Sequence, residues 1–202
     1  MSCVKDKGCG LTGLTNLGNT CFLNSSMQAL SHTYELNDVF ASSKFNKALQ
    51  NASSENNLVT EWINLRNIMW SQDGVVSPNR FVYNVQEGAK IKDRDIFTGW
   101  AQNDLPEFLL FIIECMHNTV ARPVKMTING NVKNPTDKLA TACYKMLKTS
   151  YSTEYSEIME MFYGIYVSEL SSKTGSKIHS VNPENYFILD LEIPKQNASL
   201  YD

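Results

Sequence analysis

Apolar residues recur at intervals of three and four positions up to about residue 162, which is the spacing of amphipathic helices. The widest apolar stripe covers residues 55–72 and predicts a long helix there. Residues 105–116 show the same pattern and predict the best-buried helix, with Asn103 or Asp104 as its N-cap. Further helices are predicted to begin at Thr20 or Cys21, at Pro78 after a Ser77 N-cap, at Pro135, and near Tyr155.

After Tyr163 the apolar period shortens to two, which is typical of strands. Three strands are predicted, around Ile165, around Ile178 and over residues 187–193. A small hairpin is also predicted within residues 124–132, because its centre is an Asn-Gly pair, the preferred two-residue turn. Helices followed by strands indicate an α+β fold.

The chain has 202 residues, of which 43% are hydrophobic, and this is enough to bury a sizeable core. No linker rich in proline, glycine or serine divides it. A single domain is therefore predicted over residues 1–202, mostly helical over 10–162 and with strands over 163–194.

Charge and hydropathy narrow the range of partners. The formal net charge is −3 and neither sign forms a long run, so nucleic acid is not expected to bind. The longest purely apolar run, Phe108–Ile113, has six residues, whereas a membrane-spanning helix needs about 20. The N-terminus lacks the apolar stretch of a signal peptide. A cytoplasmic or nuclear protein without a membrane partner is expected.

The five cysteines are odd in number and scattered without a Cys-x-x-Cys pair, so reduced thiols, no metal and no cofactor are predicted. Cys21 falls on the first turn of a predicted helix, where backbone N–H groups favour a thiolate. Asn16 lies five residues earlier, on a loop that Gly18 allows to fold back. Its amide and the Cys21 N–H could form an oxyanion hole. From the residues alone, a buried structural cysteine is an equally good interpretation.

Two segments carry a family resemblance. Residues 13–28, Gly-Leu-Thr-Asn-Leu-Gly-Asn-Thr-Cys-Phe-Leu-Asn-Ser-Ser-Met-Gln, closely resemble the cysteine box of the ubiquitin-specific proteases. Residues 102–109, Gln-Asn-Asp-Leu-Pro-Glu-Phe-Leu, resemble the family's Gln-Gln-Asp segment, which opens a thumb helix. The apolar positions after Phe162 are similar to strands of the fingers region. The resemblance implies a papain-like α+β cysteine peptidase fold, with a helical thumb followed by antiparallel fingers and palm strands.

The resemblance also implies roles for individual residues. Cys21 would be the nucleophile that attacks the carbonyl after the last glycine of ubiquitin and forms a thioester. Asn16 would donate to the oxyanion. Gln102, Asp104 and Glu107 would meet the extended, basic C-terminal tail of ubiquitin, although Asp104 also suits a helix N-cap and Glu107 a first-turn acid. Ubiquitin or ubiquitinated proteins are the implied partners.

The chain departs from the family pattern in two places. Many members have a Cys-x-x-Cys zinc knuckle between the finger strands, but residues 171–175 contain no cysteine, so no zinc is expected. The family's histidine box has no counterpart, so the domain is expected to be incomplete at its C-terminus. His32 would lie at the far end of the Cys21 helix, and His117 and His179 are expected at the surface.

Two functions stay open from the sequence. In the first, the protein is a deubiquitinating cysteine hydrolase, and a C-terminal half with the histidine box belongs to a longer or a separate chain. In the second, it is a catalytically silent module that binds ubiquitin or another partner. Cys21 and Asn16 favour the first function, and the absent histidine box favours the second. An incomplete domain would also expose the strand edge at residues 185–193.

Overall fold

The computed structural model describes residues 10–49, 54–173 and 178–192. The chain forms two compact units. The first contains the described residues up to Thr127 together with Lys148–Met161, and the second contains Ile128–Leu147 and the described residues from Phe162 onward. Helices dominate the first unit and an antiparallel strand pair the second, so the α+β class is confirmed.

The elements follow in chain order. They are β1 (Gly13–Leu14), α1 (Cys21–Ser31), α2 (Tyr34–Ala41), α3 (Ser43–Ala48), α4 (Ser54–Ser71), β2 (Val75–Val76), α5 (Asn79–Ile91), a 3-10 turn (Asp95–Phe97), α6 (Leu105–Val120), α7 (Pro135–Thr153), α8 (Glu157–Phe162), β3 (Gly164–Ser171) and β4 (Ile178–Tyr186). The helices predicted over residues 55–72 and 105–116 are confirmed as α4 and α6. Among the described residues, no helix has both the length and the apolar character needed to cross a membrane.

The core of the first unit lies where α4, α5 and α6 pack together. Each helix turns its apolar stripe inward, and α1 adds a further buried stripe. Burial of each large apolar side chain contributes about 1.5–3 kcal/mol, so this cluster holds the unit together. The largest buried side chains of these four helices are those of Leu23, Met27, Leu58, Trp62, Met69, Phe81, Phe108, Ile112, Ile113 and Met116.

A charged network joins the same three helices at one side. The ammonium of Lys92, the C-cap residue of α5, lies 2.6 Å from the Glu55 carboxylate of α4 and 3.0 Å from the Glu114 carboxylate of α6. Asn118 donates to Glu55 across 2.7 Å. The lysine is partly buried and has two carboxylates, so the network favours one arrangement of α4, α5 and α6.

The second unit is built on the antiparallel β3–β4 pair. Gly164 pairs with Tyr186, and the register continues to Leu170 with Ser180 before it shifts. The strand predicted over residues 187–193 is wrong within the described part of the chain, because residues 187–192 form no strand and no described strand pairs with them. Alternation alone cannot make a strand without a neighbour to receive its backbone hydrogen bonds. Ile193 lies outside the described residues.

The hairpin predicted at residues 124–132 is also wrong. Gly130 has φ 120°, as a turn glycine can, but the described residues on either side do not pair with each other. The segment instead bonds elsewhere, since Arg122 forms an antiparallel bridge with Tyr155, and the Val124 N–H donates to the Tyr151 carbonyl across 2.9 Å. These nonlocal bonds replace the local hairpin.

The predicted helix starts were correct to within two residues. The Ser77 N-cap is wrong by one position: Pro78 is the N-cap of α5, and its carbonyl accepts from the Val82 N–H at 2.9 Å. For α7, the predicted start at Pro135 is confirmed, and the Asn134 side chain accepts from the Asp137 N–H at 2.8 Å. The helix predicted near Tyr155 begins at Glu157.

Candidate active site

Cys21 is the first residue of α1, and its side chain is exposed and not in a disulfide. The N-cap residue, Thr20, makes no capping hydrogen bond with its side chain. Its hydroxyl accepts from the Leu17 N–H at 3.0 Å and donates to the Asn16 Oδ1 at 3.1 Å. The N–H groups of the first turn of α1 are therefore left without a side-chain cap, in the place where a helix favours negative charge.

The loop before α1 fixes the orientation of the Asn16 side chain. Asn16 Oδ1 accepts from the N–H groups of Gly18 and Thr20, each at 3.1 Å. Because a backbone N–H can only donate, the atom facing it must be the amide oxygen. The Nδ2 group thus lies on the opposite branch and has no acceptor among the described residues. Asn16 is exposed, so its amide is available to a substrate oxygen.

Left-handed backbone shapes the turn between Asn16 and Cys21. Gly18 has φ 102° and Asn19 has φ 55°, a conformation that glycine and asparagine adopt most readily. The Asn19 side chain then donates to the carbonyl of Trp100 at 3.1 Å. This bond joins the cysteine loop to the loop before α6.

Aromatic packing brings together the two segments that carry the family resemblance, residues 13–28 and 102–109. The Phe22 ring meets the Phe108 ring of α6 edge-on at 5.1 Å and stacks with Phe97 at 6.4 Å. One groove is lined by residues of both loops, including Gly18, Asn19, Trp100, Ala101 and Asn103. The structure therefore places the start of α6 beside the start of α1.

The acidic end of α6 is exposed. Asp104 is the N-cap of α6, and its Oδ1 accepts from the Glu107 N–H at 3.2 Å, so its predicted capping role is confirmed. The side chains of Gln102, Asp104 and Glu107 are all solvent-exposed. No described residue forms an ion pair with Asp104 or Glu107.

Neither histidine with a described side chain lies beside Cys21. His32 is the C-cap of α1, eleven residues or about 16 Å from Cys21 along the axis. His117 was predicted at the surface, and this was wrong, because it is only 9% exposed. Its Nδ1 lies 2.7 Å from the Ser156 Oγ, so the segment before α8 covers it. His179 falls in β4, and its side chain lies outside the described structure.

The other cysteines differ from Cys21. Burial raises the pKa of the Cys115 thiol to about 12, although the nearby Lys92 ammonium opposes the shift. Cys143 is half-buried on α7, and Cys3 and Cys9 lie outside the described residues. In the part of the chain that is described, no three His, Cys, Asp or Glu side chains are grouped so that they could hold a metal ion.

Two residues of the site were missed from the sequence. Asn24 Nδ2 donates to the carbonyls of Thr15 at 3.1 Å and Leu14 at 3.4 Å, and Gln28 Nε2 donates to the Thr12 carbonyl at 2.8 Å. The available signal was their spacing, because Cys21, Asn24 and Gln28 are three and four residues apart and share a helix face.

The family model and the relatives that match this chain share one description, ubiquitin carboxyl-terminal hydrolase. A family model described as ubiquitin carboxyl-terminal hydrolase matches residues 12–187. Human ubiquitin carboxyl-terminal hydrolase 2 is 36% identical over 169 residues, which cover 80% of this chain and 26% of that protein. Human ubiquitin carboxyl-terminal hydrolase 19 is 28% identical over 199 residues, covering 95% of this chain and 14% of the relative. Ubiquitin carboxyl-terminal hydrolase 15 of Xenopus tropicalis is 28% identical over 197 residues, which cover 94% of this chain and 19% of that protein.

The chain thus spans about a quarter or less of the length of these curated relatives. The family match nevertheless covers most of the chain, including the Asn16–Cys21 loop and the start of α6 at Asp104. The helices and antiparallel strands agree with the α+β, papain-like fold of such peptidases. The chain belongs to the ubiquitin carboxyl-terminal hydrolase family.

Proposed function

We propose that this chain carries the nucleophile and oxyanion site of a cysteine hydrolase that cleaves the bond after the C-terminal glycine of ubiquitin. The observation that carries the proposal is the fixed Asn16 amide, whose oxygen is held by two backbone N–H groups on the loop that ends at the exposed Cys21. A nucleophile and an amide donor on one short loop are the parts that acyl transfer needs.

The chemistry follows from these groups. The Cys21 thiolate adds to the carbonyl carbon, and the carbonyl π electrons move to oxygen. That oxyanion accepts from the Asn16 Nδ2–H and the Cys21 backbone N–H. When the intermediate collapses, the C–N bond breaks, the amine leaves with a proton, and a thioester forms. Water then hydrolyses the thioester, which releases the ubiquitin carboxylate and the thiol.

The proton transfers need a base near Cys21, and His32 and His117 are not placed to serve. We assign the base to a histidine on a further segment, in a longer chain or a second one. Gln102, Asp104 and Glu107 would bind the basic ubiquitin tail, a role that their exposure at the start of α6 supports.

The position of the two histidines also favours a second candidate, a ubiquitin-binding module without hydrolytic activity. The two candidates share ubiquitin as ligand and differ in the reactivity of Cys21. One experiment on the full 202-residue chain separates them.

The test is the intact mass of the chain after incubation with ubiquitin that ends in a bromoethylamide. We expect one adduct, formed as Cys21 Sγ displaces bromide, and its loss in Cys21→Ala. Cys143→Ala is the matched control, and it should form the adduct normally. Binding of unmodified ubiquitin without any adduct, even at about pH 9, where an exposed thiol ionises without a base, would support the silent module. The absence of binding would overturn both candidates.

A further inference from the structure

The face of α1 that begins with Cys21 holds the chain segment that leads to Asn16. Gln28 donates to the Thr12 carbonyl at 2.8 Å, and Asn24, one turn nearer to Cys21, donates to the Thr15 carbonyl at 3.1 Å. Since donors further along α1 meet carbonyls earlier in the chain, the segment runs antiparallel to the helix. It delivers Asn16 to the start of α1.

The opposite edge of this segment is held by β2. The Gly13 N–H donates to the carbonyl of Gly74, just before β2, at 2.8 Å, and the Thr15 N–H donates to the carbonyl of Val76 at 2.9 Å. The N–H groups of Gly13 and Thr15 thus fix the segment on the β2 side, and the carbonyls of Thr12, Leu14 and Thr15 fix it to α1. Asn24 supplies the α1 bond closest to Asn16.

We infer that Asn24 is a positioning residue for the oxyanion site. By holding the Leu14 and Thr15 carbonyls, it sets the distance between the Asn16 amide and the Cys21 sulfur. The inference rests on the proposed function, because it assigns to Asn24 a role in the reaction at Cys21.

The chemistry at Asn24 argues for more than stability. Its Oδ1 is buried and has no hydrogen-bond partner among the described residues. An unpaired buried acceptor is destabilising, so the asparagine is a poor choice for packing alone. Its Nδ2 group, by contrast, contacts the two carbonyls immediately before Asn16.

The test compares two ubiquitin probes on the full chain. Ubiquitin ending in an aldehyde reacts through a tetrahedral adduct: Sγ bonds to the aldehyde carbon, the C=O double bond becomes single, and the thiol proton passes to that oxygen. The oxygen then occupies the oxyanion site. Ubiquitin ending in a bromoethylamide alkylates Cys21 without forming a tetrahedral oxygen, so it reports only docking and thiolate reactivity.

We expect Asn24→Ala to weaken binding of the aldehyde probe about tenfold, since small misplacement of a reacting group is costly. Its alkylation rate should stay within about twofold of the unmodified chain, because the nucleophile is intact. Asn24→Asp has the same shape but lacks the donor at neutral pH, and it should show the same loss. Asn84→Ala is the matched control, because it removes an asparagine amide that donates to the Arg80 carbonyl within α5, outside the site, and both probes should react with it normally.

Several results would overturn the inference. Aldehyde binding by both Asn24 variants as tight as that of the unmodified chain would exclude a positioning role while leaving the proposed function intact. Equal losses with both probes, in variants that still unfold cooperatively on heating, would make Asn24 a general structural residue. If the unmodified chain reacts with neither probe, the proposed function fails, and the inference fails with it.

Discussion

Helices α1 and α6 begin side by side, joined by the rings of Phe22 and Phe108, yet their first turns are completed in opposite ways. At α6, the Asp104 carboxylate accepts from the Glu107 N–H and closes the helix end. At α1, Thr20 is the cap residue, but its hydroxyl bonds to Asn16 and Leu17 instead. The comparison teaches that neighbouring helix starts can differ in their backbone groups: the first turn of α6 has a side-chain cap, and the first turn of α1 keeps its N–H groups free of one.

The same two helices carry cysteines in opposite environments. Cys21 is exposed at the uncapped start of α1, whereas Cys115 is buried in the third turn of α6. Of these two thiols, only that of Cys21 is accessible to solvent.

The largest expected difference is between the two thiols. Because burial raises the pKa of Cys115 to about 12, only about one molecule in 10⁴ carries its thiolate at pH 8. A raised thiol pKa keeps the Cys115 thiol in its neutral, unreactive form through neutral pH. In the folded protein, iodoacetamide at pH 8 should label Cys21 and leave Cys115 unmodified, as judged by peptide mapping.

Denaturant provides the control for this experiment, since unfolding removes the burial and should make Cys115 as reactive as any free thiol. Rapid labelling of Cys115 in the folded protein would contradict the burial of this part of α6.

The next largest effect is expected at Asn16. Asn16→Asp keeps an oxygen that can accept from the Gly18 N–H, the Thr20 N–H and the Thr20 hydroxyl, but it removes the Nδ2 donor. Removal of one oxyanion donor typically lowers kcat by a factor of about 10²–10³, so the affinity for aldehyde-terminated ubiquitin should fall by a similar factor. The thermal midpoint should change little. The dissociation constant of aldehyde-terminated ubiquitin is measured by titrating it in competition with a labelled ubiquitin probe.

Asn16→Ala is the companion variant for Asn16→Asp, because it removes both the donor and the loop acceptor. It should lose aldehyde binding and also lower the thermal midpoint. If Asn16→Asp binds the aldehyde normally, Asn16 organises the loop but does not contact the oxyanion.

The smallest effect is expected at Asp104, where capping and substrate binding can be separated. Asp104→Ala should lower the free energy of unfolding by about 1 kcal/mol through loss of the N-cap, as measured in urea. Asp104→Asn keeps a good cap and should cost less than about 0.5 kcal/mol. Both variants remove the negative charge, so both should weaken ubiquitin binding, and more strongly at low salt.

A result in which Asp104→Asn binds ubiquitin as well as the unmodified chain would limit Asp104 to its capping role. The comparison of α1 and α6 would then become sharper, since the start of α6 would serve stability alone.

Local features of the fold were predictable because they depend on nearby residues. The stripe of α4 and the Asp104 cap of α6 can be recognised from their spacing, since helical bonds and caps join residues three or four apart. The position of Cys21 at the start of α1 was predictable for the same reason. The third strand and the 124–132 hairpin were not predictable in this way. Residues 187–192 have no partner strand among the described residues, and the local hairpin is replaced by bonds from Arg122 and Val124 to residues about 30 positions away.

The candidate site shows the same division. The sequence indicated Cys21 and Asn16 by type and by resemblance, but it could not show which branch of the Asn16 amide faces outward. That depends on the N–H groups of Gly18 and Thr20, which the turn brings to one oxygen. The burial of His117 against Ser156 was equally hidden, because these residues are 39 positions apart.

By itself, the sequence determined the long helices and the family, since periodicity and a contiguous motif are properties of neighbouring residues. The tertiary structure alone decided how these parts meet. It laid the segment before Asn16 against α1 through Asn24, left the first turn of α1 uncapped, and placed the two helix starts together. These arrangements arise from contacts between residues far apart in the chain, and a linear pattern does not specify such contacts.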